Sequence, residues 1–206
     1  ELIWQELGSY DEEDVPVWLN AVVAFITAAE RQSVLITAAY VARALGQQPQ
    51  GLNATDIIAS IRGDATPEQV YRRPFVSIWK ALSEGVPYEQ AVKDGLERAK
   101  ATGAMDVQLV HRATLQAIQD REPRIKGWRR AANADACAYC RMLDGAKVKR
   151  ADAMPMHNFC GCGLEPLLEP VPVDPVPEGV AVHEHGEYGP TIADPEHSFT
   201  EAKDLQ

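Results

Sequence analysis

Cysteine is scarce in this 206-residue chain and absent from its first 136 residues. Basic charge is short as well: 20 Lys and Arg stand against 30 Asp and Glu, a net charge of -10. That balance argues against general binding to nucleic acid or to an anionic membrane. The longest largely apolar run, Val15 to Ala29, is closed by Glu30-Arg31. It falls short of the roughly 20 residues a spanning helix needs, so no transmembrane segment is expected. No secretory signal pattern is legible, and the expectation is a protein made in a reducing cytosol. No internal repeat is evident. Phosphate-binding glycine loops, a Gly-x-Ser-x-Gly elbow and a His-Glu-x-x-His pair are all missing, which removes the commonest hydrolase and nucleotide-binding signatures.

What is present is mostly helical. Asp14-Val15-Pro16 is a helix start, and the apolar pattern runs on to Leu45 with Gly46 as the stop. Asn20, Thr27 and Arg31 mark only a narrow polar stripe on this helix. A helix so apolar sits at the centre of a bundle or against a partner subunit. Asn53 to Ile61 reads as a short helix, and Thr66-Pro67-Glu68-Gln69 as a capping box. Pro74 is expected to interrupt the next helix, which resumes over Phe75 to Ser83. Pro87 opens another, with Gly103 as a kink or an end, and Pro123 closes the helical part. The expected fold is mainly α: a helical body over 1–122, a small Cys/His-stapled module with a short β-hairpin over 123–168, and an extended tail over 169–206. Asp144-Gly145 supplies the hairpin signal. The tail carries six prolines and Lys203 as its only Lys or Arg, and reads as extended and acidic.

The chemistry lies between residues 137 and 162. Cys137-x2-Cys140 is followed after sixteen residues by His157-x2-Cys160 and then Cys162. A two-residue gap lets one tight turn aim two soft donors at one ion, and a loop that folds back supplies the second pair. Four of Cys137, Cys140, His157, Cys160 and Cys162 are expected to hold structural Zn²⁺. Spacing alone does not decide between His157 and Cys162; the reading taken is His157 with Cys160, with Cys162 as the alternate. Disulfides within the cluster, or reduced and unliganded thiols, are the competing readings.

Residues 121 to 150 hold nine basic and three acidic residues, +6 in an acidic chain. Arg124, Lys126, Arg129, Arg130, Lys147, Lys149 and Arg150 are candidates for contact with DNA phosphates or an acidic subunit surface, with a merely solvated surface as the alternative. A zinc deaminase is excluded because Ala136 precedes Cys137 and His185-Gly186-Glu187 lies on the wrong side. A His-Asn-His metal nuclease is the nearest enzymatic rival, but His157-Asn158 is the only His-Asn pair and the histidine set is incomplete. His183, Glu184 and His185 are a weak candidate for a second ion, and His111 reads as a packed or solvated helix residue.

Trp128-Arg129-Arg130, Cys137-x2-Cys140 and Met154-Pro155-Met156-His157-x2-Cys160-x-Cys162 followed by Pro166 resemble the Mu F-like (MuF) minor head proteins of tailed bacteriophages. Val17-Trp18-Leu19, Val70-Tyr71-Arg72-Arg73-Pro74 and Trp79-Lys80-Ala81-Leu82-Ser83 are similar to the actinobacteriophage members. The resemblance covers Pro16 to about Leu168. It departs at Gly161, where the family often carries a basic residue. It implies a minor capsid protein that is not an enzyme and that acts in head assembly, DNA packaging or ejection. Its implied partners are the portal and major capsid proteins and packaged DNA, without a membrane. Its implied place is the virion, near the portal or inside the head, in several copies on a symmetric ring, after assembly in host cytoplasm. The readings from other classes are the metal-dependent nuclease and a DNA-binding adaptor.

Overall fold

The computed structural model describes residues 2–157, 160–170, 172, 182–185 and 189–192. Five helices come first: α1 (Leu2–Gln5), α2 (Asp14–Ala44), α3 (Ala54–Ser60), α4 (Pro67–Ser83) and α5 (Tyr88–Arg121). Strand β1 (Gly127–Ala131), helix α6 (Ala138–Met142), β2 (Lys147–Val148), a 3₁₀ turn at Ala151–Ala153 and β3 (Gly163–Leu167) form the module.

The helix signals act where the sequence places them. Asn53 accepts from Thr55 N–H at the start of α3, and Thr66 and Gln69 close a reciprocal capping box on α4. Pro74 does not interrupt α4, which runs unbroken to Ser83. Pro74 is buried beside Tyr71, Phe75 and Ile78, all at 0% exposure. Burial of that face outweighs the lost amide. Gly103 likewise does not end α5, which continues through it to Arg121. A Cβ there would lie 3.0 Å from Ile26 Cδ1, and one at Gly95 would lie 2.7 Å from two Ile78 atoms. The two glycines let α2 and α4 pack close against one long helix, which repays their poor helix propensity.

Three apolar clusters join these elements. Trp4, Trp18 and Phe75 pack with Val22 and Ile26 at one end, with Trp4 and Trp18 edge to face at 5.0 Å. Val34, Ile57, Ile61 and Val110 join α2, α3 and α5 midway. At the other end Ala38, Val41, Leu115 and Ile118 pack against Trp128, Val148, Ala151, Met154 and Leu164. The module and the body therefore share a core.

α2 has 31 residues and is long and apolar enough to cross a membrane by length and composition, a property the shorter run ending at Ala29 does not suggest. One side of it is nevertheless core, from Val15 through Val41. Glu30 within it is fully buried and ion-paired to Arg62, which also meets Asp106 at 2.6 Å. Tyr71 O–H donates to the same Asp106 oxygen at 2.7 Å.

The module sheet has the order β2-β1-β3, all antiparallel. It exceeds the expected hairpin by a strand. Asp144-Gly145 turns the chain from α6 into β2, with Gly145 N–H bonded to Arg130 O at 3.0 Å, and does not join two strands directly. β3 is an edge strand, which accommodates Pro166 opposite Trp128. Most of the tail lies outside the described residues; within it Val182–His185 pairs with Gly189–Ile192.

Candidate metal centre

Strand alternation decides what enters the module. Trp128 and Arg130 point to one side of β1 and are 0% and 2% exposed, while Arg129 points outward to Glu165, its register partner on β3. Ala131 pairs with Gly163, so the start of β3 places Cys160 and Cys162 beside the end of β1. Cys137 precedes α6 and Cys140 lies within it. Cys140 N–H points at Cys137 Sγ at 3.5 Å, and Arg141 N–H bonds Cys137 O at 3.0 Å. On the returning loop, Cys160 N–H bonds His157 O at 3.2 Å. These are two knuckles facing each other.

The donors converge. His157 Nε2 lies 3.1 Å from Cys137 Sγ and 3.1 Å from Cys140 Sγ. Cys140 and Cys160 sulfurs are 3.5 Å apart. Cys137, Cys140 and His157 form one compact group and Cys140, Cys160 and Cys162 another, sharing Cys140. A tetrahedral ion with bonds of about 2.3 Å to sulfur and 2.0 Å to nitrogen has donor-to-donor edges of roughly 3.5–3.8 Å. The three separations given are slightly shorter than those edges, and a fourth donor reaches the same ion when the two groups that share Cys140 draw together. All four cysteines are free thiols, and 3.5 Å is far from the roughly 2.05 Å of a disulfide. Hydrogen bonds from Cys140, then Cys162, hold the Cys160 thiol well below the ordinary cysteine range. The hydrogen bond to Cys160 in turn raises Cys140.

The centre is braced from α5. Gln108 donates to Cys160 O, Arg112 to Asp152 O, and Gln119 to Lys149 O. Gln119 also accepts from Trp128 Nε1 at 2.8 Å. These residues lie along the side of α5 that faces the module.

The basic residues separate. Arg124 pairs with Glu122, Arg129 with Glu165 and Arg150 with Asp152. Lys126 donates to Pro123 O, Lys147 is half-buried and Lys149 is exposed. Arg130 is a correction: it lies inside, with Nη1 3.6 Å from Cys140 Sγ and 3.7 Å from Cys160 Sγ, and Nη2 donating to Pro155 O. Parity with Trp128 was the signal available for it. The side chains of His183, Glu184 and His185 lie outside the described residues.

His111 is packed within the body, its Nδ1 2.8 Å from Thr37 Oγ1. Burial, and then the Arg112 charge, pushes it down to about 4. The unfolded chain therefore takes up a proton below about 6.5 that the folded chain refuses until about 4. Stability conferred by neutral His111 is present above pH 6.5 and is lost as pH falls to 4, on the order of 2–3 kcal/mol. His111→Gln should flatten that acid loss in urea titrations run at matched metal content; equal slopes in the two proteins would contradict it.

Comparison with curated proteins and with solved structures finds no match. A family model described as VG15 protein matches residues 2–177, which takes in the helical body and the whole metal centre. The chain thus belongs to the VG15 protein family, a family of phage-encoded viral proteins.

Proposed function

We propose that the chain is a structural minor head protein of a tailed phage, of the MuF kind, with one zinc ion stapling its module. It docks on the portal or the major capsid protein, resides in the virion, and acts in head assembly, DNA packaging or ejection without catalysing a reaction. The observation that carries this reading is the Cys/His cluster inside a phage family protein: two groups of three donors share Cys140, and four of these donors around one ion would leave no open position for a reacting water or substrate. The spread of the basic residues into local ion pairs favours a scaffold over a DNA-processing enzyme.

A docking face is at hand on α2. Val17, Phe25, Leu35, Ile36 and Tyr40 are between 43% and 66% exposed on a helix whose other side is core. Covering such side chains yields about 25 cal/mol per Å² of apolar area, less the costs of ordering. Mass spectrometry of purified virions, with co-purification on the portal ring, tests the reading. The chain is expected at sub-stoichiometric copy number and held by the portal. Cleavage of DNA by the pure protein with Mg²⁺ or Zn²⁺, abolished by His157→Ala, would replace it with the nuclease reading.

A further inference from the structure

The cluster contains a cation as well as candidate anions. Arg130 is 2% exposed, and none of its partners among the described residues is a carboxylate. Its guanidinium faces two sulfurs and one carbonyl, while its Nε has no partner among the described residues. Arginine does not shed its proton in a protein. A buried guanidinium without a counter-charge is costly, and thiolates bound to an ion at the sulfurs it faces would supply that charge.

Charge then discriminates between ligand sets that spacing leaves open. A dication with three thiolates and a neutral imidazole carries -1, which one guanidinium brings to zero. A dication with four thiolates carries -2 and leaves a buried charge of -1 even beside Arg130. We propose that Arg130 is the built-in counter-charge of the centre and selects Cys137, Cys140, Cys160 and His157 as the ligands of a soft divalent ion, with Cys162 outside the coordination sphere. The inference rests on the reading of the cluster as a metal site. His157 touches both sulfurs of the first knuckle, and Arg130 bridges one sulfur from each knuckle; Cys162 lies in one group with Cys140 and Cys160, so charge and not proximity sets it apart. Arg130 is a positioning residue, acting on the ion through the sulfurs.

The test is chelator competition for Zn²⁺, together with Co²⁺ absorption, on the full chain and its Arg130→Met, Arg130→Lys, Cys160→Ser and Cys162→Ser variants. Outer-shell partners of metal ligands typically contribute 10–100-fold in affinity. Arg130→Met should lose that much, and Arg130→Lys, which keeps the charge but not the fork, should recover most of it. Cys162→Ser should leave affinity and the sulfur-to-cobalt band intensity unchanged, whereas Cys160→Ser should lower both. A merely structural arginine would lower the stability of the metal-free proteins and leave the spectra alone. Equal Zn²⁺ affinity in wild type and Arg130→Met, or a weakened band in Cys162→Ser, overturns the proposal while leaving the metal reading standing. A wild-type chain that binds neither ion overturns both.

Discussion

Cys140→Ser is expected to abolish metal binding and open the module between residues 132 and 162. Cys140 is the one donor common to both groups in the cluster, and its sulfur lies within 3.1–3.6 Å of His157, Cys160 and Arg130. Serine cannot replace it, because its hydroxyl is a poor ligand for a soft ion and does not ionise near neutral pH. For small sites of this kind the binding energy is folding energy, on the order of 10 kcal/mol apparent at neutral pH. The helical body has its own cores around Trp4, Phe75 and Val110. Far-ultraviolet circular dichroism should therefore keep most of its helical signal. The near-ultraviolet signal of Trp128, buried where module and body meet, should weaken. A variant with wild-type protease resistance between 132 and 162 would show that the ion is dispensable.

The second large effect lies in the helical body. Arg62→Met strands Glu30 and Asp106, both within a core where Arg62 is their shared cation. Removing one member of a buried ion group costs about 3–5 kcal/mol because the remaining charge stays desolvated. In a chain of this length that lowers the melting temperature by roughly 6–20 °C. Glu30→Gln should behave in the opposite way. Burial raises the Glu30 carboxyl above its ordinary value, outweighing its attraction to Arg62. Its folded pKa thus exceeds the unfolded one, and its ionisation costs stability as pH rises through that folded value. At neutral pH Glu30→Gln should therefore be neutral or stabilising. The double variant with Arg62→Met should regain part of the loss. Thermal melts at pH 7 decide this, and a strongly destabilised Glu30→Gln would refute the assignment of the excess charge to Glu30.

Local signals were readable where local physics dominates. The cap at Thr66, the start at Pro16 and the two knuckles depend on residues within a few positions of each other, and the structure forms all of them. Pro74 and Gly103 misled as breakers because their local cost is small beside the burial of Phe75 and the close approach of Ile26. β3 carries Pro166, which a strand tolerates at a sheet edge, and β3 is an edge. The Glu30–Arg62–Asp106–Tyr71 network joins residues 32 to 44 positions apart and leaves no periodic trace. Arg130 stands among surface bases in the sequence because the hairpin signal at Asp144-Gly145 does not place a strand over residues 127–131. Once β1 is a strand, Trp128 and Arg130 fall on the same side. The face of α2 that meets solvent was legible as apolar, while which side would be core depended on where α4 and α5 pack.

The most direct test is the elemental content of the full chain, purified without added metal or chelator and compared with Cys140→Ser. The account predicts about one zinc per wild-type chain, none in the variant, and thiols that react only after the ion is removed. A folded wild-type protein with no bound metal and four freely reactive thiols would contradict it.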